Sequence, residues 1–153
     1  MQRRMNYVKA APEVYQGLLA LQAVVDKSGL EKPLLELIKI RASQINKCAY
    51  CLHMHTREAR NGGESEERIY LLEAWRESPL YTARERAALA WTEALTLLPE
   101  TNAPDDVYAE VAAQFSEPEI ANLTLAISAI NVWNRFGVGF KLVHPVKARV
   151  VEA

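Results

Sequence analysis

Apolar residues recur along the chain at spacings of three and four residues, and proline and glycine separate the segments that carry them. No segment shows the sustained period-two alternation that is typical of a half-buried strand. The pattern therefore predicts an all-α fold, a helical bundle of about six to eight helices. No repeat or linker indicates a second domain, so residues 1–153 are predicted to form a single domain.

Three helices are predicted in the first part of the chain. Pro12 can begin the first, which ends at Ser28-Gly29. A second helix, from Pro33 to about Asn46, is densely apolar, which indicates burial on more than one side. The third is predicted to start near Cys48 and to continue to Arg60, where Asn61-Gly62-Gly63 can end it.

The second half of the chain carries clearer start signals. Acidic residues favour the beginning of one helix, and Thr82 with Glu85 and Ser116 with Glu119 form two capping-box patterns. The predicted helices run from Glu64 to before Pro79, from Thr82 to Pro99, from Pro104 to about Val111, and from Ser116 to about Phe136, with Gly137 and Gly139 ending the last. For the tail from Phe140 to Ala153 we expect an extended arm or a short final helix.

Composition and charge exclude several classes of protein. Eighteen Lys and Arg residues against nineteen Asp and Glu residues leave a net charge of −1, so no bulk field attracts nucleic acid. Half of the residues are hydrophobic, which is typical of a globular chain and not of a disordered one. The longest charge-free run near the carboxyl end, residues 120–134, is too short to span a membrane. No apolar segment follows Arg3 and Arg4, so we expect a cytoplasmic protein.

The candidate chemistry lies around the two cysteines, Cys48 and Cys51. At about 100° per residue on a helix, Cys48, Cys51 and His55 fall within an arc of roughly 60°, whereas His53 lies well round the helix. At a helix amino terminus, and next to Lys47, the Cys48 thiolate would be favoured. His55, one turn after Cys51, could accept that cysteine's proton. The pattern indicates an activated thiol with a second cysteine able to close a disulfide.

Other interpretations of these residues stay open. The cysteines could be small buried hydrophobes, or they could bind zinc together with His55 and a fourth ligand, Glu36 or water. His53 is expected to be exposed or merely hydrogen-bonded, and His144 has no partner that the sequence reveals. The three tryptophans occupy apolar helical stripes and are expected to be core residues: Trp75, Trp91 and Trp133.

The spacing of Glu36, eleven residues, Cys48, two residues, Cys51, three residues and His55 resembles the AhpD-like alkyl hydroperoxidase branch of the carboxymuconolactone decarboxylase family. The surrounding sequence LIKIRASQINKCAYCLHMHTREAR, followed by LLEAWRESPLYTARERAALAWTEALT, is similar as well. The resemblance covers residues 10–140. It implies an all-helical subunit that forms trimers, hexamers or other homo-oligomers, with cofactor-free thiol peroxidase activity that depends on both cysteines.

The resemblance also implies a role for each site residue. Cys51 matches the cysteine that attacks peroxide, and Cys48 matches the proton donor and resolving thiol. His55 and Glu36 match a proton relay in which the carboxylate orients the imidazole. Tyr50 stands where many members have a histidine, and its phenol could donate a hydrogen bond but would be a poor base.

Lys47 is a second departure from the family pattern. It replaces the glycine that is common before the first cysteine of the family, which bears on the reaction rate and the substrate.

Further expectations concern partners. The implied partners are a small peroxide and a dithiol reductant such as a lipoyl-bearing protein, with no nucleic acid, membrane, cofactor or metal. The dense apolar character of residues 33–46 and 120–133 adds a physical reason to expect a homo-oligomer. Lactone decarboxylation, the reaction that names the wider family, a redox sensor and a zinc-binding module remain as alternatives.

Overall fold

A computed structural model of the chain describes residues 2–146, and every regular element in this part is helical. The all-α prediction is therefore confirmed. The described residues contain nine α-helices, more than predicted, because two four-residue helices add to the longer ones. Their bounds are α1 Tyr7–Ala10, α2 Pro12–Asp26, α3 Lys32–Ile45, α4 Ala49–Asn61, α5 Glu66–Leu71, α6 Ala83–Thr96, α7 Leu98–Thr101, α8 Asp105–Ala112 and α9 Glu117–Gly139, with a 3-10 turn at Leu72–Ala74.

Helix α3 lies at the centre of the bundle. It packs against α4, α6 and α9, so its apolar side chains are covered on several sides, as the sequence predicts. Most of them are almost completely buried: Leu34, Leu35, Leu37, Ile38 and Ile40. Because each fully buried aliphatic side chain contributes about 1.5–3 kcal/mol of transfer free energy, this helix fixes the frame on which the neighbouring helices are placed.

The predicted start signals act as expected. Thr82 accepts a hydrogen bond from the Glu85 backbone N–H, and the Glu85 carboxylate accepts from the Thr82 backbone N–H. At the start of α9, the Glu119 carboxylate accepts from both the backbone N–H and the hydroxyl of Ser116. Proline lies in the first turn of α2, α3 and α9, where its missing N–H and fixed φ cost nothing. These local signals place four of the longer helices within about a residue or two of their predicted starts.

Some predicted helix ends are wrong. Helix α6 already ends at Thr96, and Pro99 lies in the first turn of α7 because its fixed φ suits that position. Gly137 and Gly139 do not stop α9 after Phe136, because the helix includes both of them and ends at Gly139, with Phe140 as the cap. The helix predicted from Glu64 is divided into α5 and the 3-10 turn.

The first residues of the chain lie against the end of α9. The Arg4 backbone N–H donates to the carbonyl of Phe140 at 3.0 Å, and its guanidinium donates to the carbonyl of Gly139 at 2.9 Å. The ring of Tyr7 in α1 stacks on Phe140 and meets Phe136 edge to face. Residues 141–146 form no regular element, and the rest of the predicted tail lies outside the described residues.

Two expectations about apolar segments can be compared with this packing. In residues 2–146, no helix is both long enough and apolar enough to cross a membrane. Most apolar residues of α9 and α3 are buried by this chain's own helices, whereas Leu125, Val132 and Trp133 of α9 are half-buried. Packing within the chain therefore accounts for most of this apolar character, and the homo-oligomer stays a prediction.

Candidate active site

The turn between α3 and α4 places Cys48 at the amino terminus of α4. Lys47 adopts a left-handed φ of 55°, the conformation that glycine adopts without a steric cost and other residues do not. The Asn46 side chain donates to the amide oxygens of Asn131 and Asn134 in α9, at 2.9 Å each, and so fixes the turn on that helix. Cys48 caps α4, and its sulfur accepts from the Cys51 backbone N–H.

A disulfide joins Cys48 and Cys51 across the first turn of α4. Their Cα atoms are 5.4 Å apart, inside the usual range for a disulfide. Cys48 is 1% exposed and Cys51 3%, and both belong to a buried cluster with Ala42 of α3 and Ile130 of α9. The spacing of three residues thus brings the two sulfurs together, in a site that is nearly closed to solvent.

Gly137 is the point at which α9 approaches the two sulfurs. A Cβ atom built on this glycine would lie 2.6 Å from the Cys48 sulfur and 3.4 Å from the Cys51 sulfur. The first distance is far shorter than any contact that real Cβ atoms make, so only glycine fits here with the packing as it is. Sequence reasoning missed this role, because the contact joins helices far apart in the chain.

The structure brings Glu36 of α3 to His55 of α4. The imidazole Nδ1 lies 2.9 Å from Glu36 Oε2, and His55 is 6% exposed. A carboxylate at Nδ1 favours the tautomer that carries its proton there, which leaves Nε2 free to accept a proton. Burial by itself would raise the pKa of the Glu36 carboxyl, but the hydrogen bond and charge of His55 and the charge of Lys39 outweigh it and hold this pKa below its ordinary value. Glu36 is therefore ionised at neutral pH.

Two charged residues that the sequence analysis did not name complete this group. The Lys39 ammonium donates to Glu36 Oε1 at 2.8 Å. Glu58 Oε2 lies 3.2 Å from the same His55 Nδ1 that faces Glu36. Each of the two follows a predicted site residue by three positions on the same helix, which is the sequence signal that could have identified them.

A cavity of about 380 Å³ opens beside Cys51. His55 and Tyr50 line it, as do aromatic residues of α1, α2 and α9 that sequence reasoning did not assign to the site: Tyr7, Tyr15 and Trp133. Trp133 is thus half-buried at the cavity, whereas Trp75 and Trp91 are core residues as predicted. Of the two cysteines, Cys51 lines the cavity and Cys48 does not. A molecule in the cavity would therefore meet the Cys51 sulfur first.

The residues that come close enough to share a metal ion are not the four that the sequence offers as a zinc site. In the part of the chain that the structure describes, three such groups meet only at Glu36, His55 and Glu58. Neither cysteine belongs to this group, so residues 2–146 do not assemble a site from two thiolates, His55 and Glu36.

His53 and His144 form a separate pair. Their rings stack with centroids 4.6 Å apart and planes 17° from parallel, so His144 does have a partner, which no sequence signal revealed. Burial lowers the pKa of His53, and the nearby positive charges of His144 and Arg57 lower it further. His53 does not line the Cys51 cavity, which agrees with the expectation that it differs from His55.

Comparison with known proteins identifies the family. The family model described as the carboxymuconolactone decarboxylase family matches residues 12–94, more than half of the chain. The matched span includes Glu36, Cys48, Cys51 and His55. The chain belongs to the carboxymuconolactone decarboxylase family.

Relatives of this family member are similar over nearly its whole length. The uncharacterised protein YdfG of Bacillus subtilis (strain 168) is 41% identical over 138 residues, which cover 90% of this chain and 94% of that protein. A crystal structure from Agrobacterium tumefaciens, of a protein of unknown function proposed to be the antioxidant defence protein AhpD, is 51% identical with a TM-score of 0.93 and covers 95% of this chain and all of the other. The debrominase Bmp8 is 19% identical with a TM-score of 0.82, covers 91% of this chain and 75% of its own, and shows the fold alone.

Proposed function

We propose that this member of the carboxymuconolactone decarboxylase family is a cofactor-free thiol peroxidase that reduces small organic hydroperoxides. One observation carries the proposal: Cys51 opens on a cavity beside His55, whose Nδ1 is bonded to Glu36, while Cys48 lies within disulfide reach of Cys51. The relationship to a protein proposed to be AhpD supports the same chemistry.

The first step is attack on the peroxide. In the reduced protein, His55 Nε2 takes the proton of the Cys51 thiol, and Glu36 stabilises the imidazolium that forms. The Cys51 thiolate then attacks the terminal peroxide oxygen and the O–O bond breaks. The leaving alkoxide takes the proton from His55, which gives an alcohol and a Cys51 sulfenic acid.

The second step closes the disulfide. The Cys48 thiol attacks the Cys51 sulfur, its proton leaves with the hydroxyl group as water, and the two sulfurs join. An external dithiol, such as a lipoyl-bearing protein, then reduces this disulfide and is itself oxidised. The order follows from position, since Cys51 faces the cavity and Cys48 does not. The helix amino terminus alone would favour Cys48 as the nucleophile.

The decisive assay is continuous consumption of cumene hydroperoxide with excess dihydrolipoamide. We expect Cys51→Ser and His55→Ala to lose most of the activity, with His53→Ala as a matched control on the same helix that retains it. Activity that persists in Cys51→Ser refutes the proposal. A protein that forms the disulfide once but does not turn over is a redox sensor and not a peroxidase.

Reductive removal of bromine from an aromatic ring is a second candidate function. The observation that favours it is the aromatic lining of the cavity by Tyr7, Tyr15 and Trp133 beside a cysteine pair. The debrominase Bmp8 shares the fold, and a variant of Bmp8 has been crystallised in complex with 2,3,4-tribromopyrrole. Two thiols and a bromoarene would give the arene, a disulfide, a proton and bromide. Bromide release from tribromopyrrole, faster than peroxide consumption, would make this the leading function.

Decarboxylation and assembly are tested separately. Decarboxylation of a lactone acid makes no use of the paired cysteines. Turnover of a carboxymuconolactone by the Cys48→Ser/Cys51→Ser variant would make decarboxylation the leading function.

We also propose a homo-oligomer, a trimer or a hexamer, on the family relationship alone. Sedimentation at micromolar concentration that shows only a 17.2 kDa species would contradict this.

A further inference from the structure

Glu58 is the second carboxylate at His55. It follows His55 in the sequence, whereas Glu36 precedes it. Glu36 belongs to α3, whereas Glu58 is one turn after His55 on α4. Both carboxylates face the same nitrogen, at 2.9 and 3.2 Å from Nδ1. A neutral imidazole has one proton at this atom and needs one acceptor for it. A second anion there acts mainly through its charge, which attracts the positive charge of an imidazolium.

The charges around His55 make Glu58 the less compensated of the two carboxylates. Lys39 binds the second oxygen of Glu36 and offsets that charge. Within residues 2–146, the ion pairs of Glu58 are confined to His55 itself. The other titratable groups that line the cavity come from four helices: Asp26 and Tyr15 of α2, Lys39 of α3, Tyr50 of α4 and Tyr7 of α1.

We propose that Glu58 is a positioning residue of the thiol relay, a second carboxylate that orients His55 and stabilises the imidazolium formed when the ring takes the Cys51 proton. This rests on the proposed thiol chemistry of the site. The Glu58 side chain is 52% exposed and lines both the Cys51 cavity and a larger cleft of about 900 Å³ next to it. Solvent screens a half-exposed charge, so its effect is moderate and not all-or-none.

The test is a thiol titration followed by the ultraviolet absorbance of the thiolate, with every Glu58 and Glu110 variant and its reference made in the Cys48→Ser protein, where Cys51 is the one remaining cysteine. Glu58→Gln keeps the shape of the side chain and removes the charge. Because one partly screened charge is removed, we expect the midpoint of the Cys51 thiol titration to rise by about half a pH unit. Below the midpoint, this shift corresponds to roughly threefold less thiolate. Glu58→Asp keeps the charge and should lie nearer the reference. Glu110→Gln, an exposed carboxylate of α8, should match the reference.

The rate of disulfide formation with peroxide supplies a second readout. Glu58→Gln should be roughly threefold slower than wild type below the midpoint and equal to it above, because there the thiol ionises without help from His55. A purely structural role would slow the reaction at every pH. The proposal is overturned if Glu58→Gln and its Cys48→Ser reference titrate together. Since the titration needs no peroxide, a wild-type protein without peroxidase turnover would refute the proposed function and leave this result to decide the role of Glu58.

Discussion

Replacing Gly137 by alanine tests the packing of α9 on the cysteine pair. The added Cβ would lie 2.6 Å from the Cys48 sulfur, about 1 Å inside an ordinary van der Waals contact. Because Cys48 is 1% exposed, its sulfur has little room to retreat. Overpacking of this kind costs about 1–3 kcal/mol, from which the better helix propensity of alanine recovers about 0.5–1 kcal/mol. We therefore expect a net loss of up to about 2.5 kcal/mol in the free energy of unfolding.

Gly139 supplies a matched control in the same last turn of α9. A Cβ atom there meets nothing within 4 Å, and the residue is exposed. Gly139→Ala should leave stability unchanged or raise it by up to about 1 kcal/mol. Urea denaturation of the oxidised protein measures the stability of both variants. The dependence of the free energy of unfolding on urea concentration should be the same in the variants and the wild type. If Gly137→Ala is as stable as Gly139→Ala, the close approach of α9 to the sulfurs is refuted.

Three further predictions use the same purified protein. Lys47→Gly should raise the free energy of unfolding by up to about 1 kcal/mol, because Lys47 has a φ of 55°, and an unchanged urea midpoint would contradict this. The ionised Glu36 stabilises the fold above the ordinary carboxyl pKa, and this contribution disappears as the pH falls through the lowered folded pKa. Lys39→Met should raise the pKa of Glu36 and move this loss of stability to higher pH. Nuclear magnetic resonance titration of the Glu36 carboxyl measures the pKa, and an unchanged value would contradict the role of Lys39. The neutral His53 ring likewise stabilises the fold above its ordinary pKa, with loss as the pH falls through the lowered folded pKa. His144→Ala should raise the pKa of His53, and an unmoved ring-proton titration would argue against the stacked pair.

Local signals predict much of this fold. Capping boxes and first-turn prolines give helix starts, because a cap residue satisfies backbone groups within its own turn. Likewise, the helical register of Cys48, Cys51 and His55 needs only the geometry of one helix. From the sequence, the family spacing alone identifies Glu36, and the structure shows the hydrogen bond that joins it to His55 across two helices.

Contacts between distant segments could not be predicted in the same way. Gly137 looks like a helix terminator in the sequence, and only its approach to the Cys48 sulfur shows why glycine stands there. The aromatic wall of the cavity combines Tyr7 and Tyr15 with Trp133, more than a hundred residues apart in the chain. Most of the apolar character of α9, from which the sequence predicts a partner subunit, is covered by this chain's own helices. In each case the answer depends on which faces meet, and hydrophobic periodicity does not specify that.

The most direct test of the account is to locate the sulfenic acid. Reduced Cys48→Ser and Cys51→Ser variants are mixed with one equivalent of cumene hydroperoxide in the presence of dimedone, and the labelled residue is identified by mass spectrometry. The geometry predicts rapid labelling of Cys51 in Cys48→Ser and little labelling of Cys48 in Cys51→Ser, because only Cys51 lines the cavity with His55. Faster labelling of Cys48, or equal labelling of the two, would contradict the assignment of Cys51 as the attacking thiol.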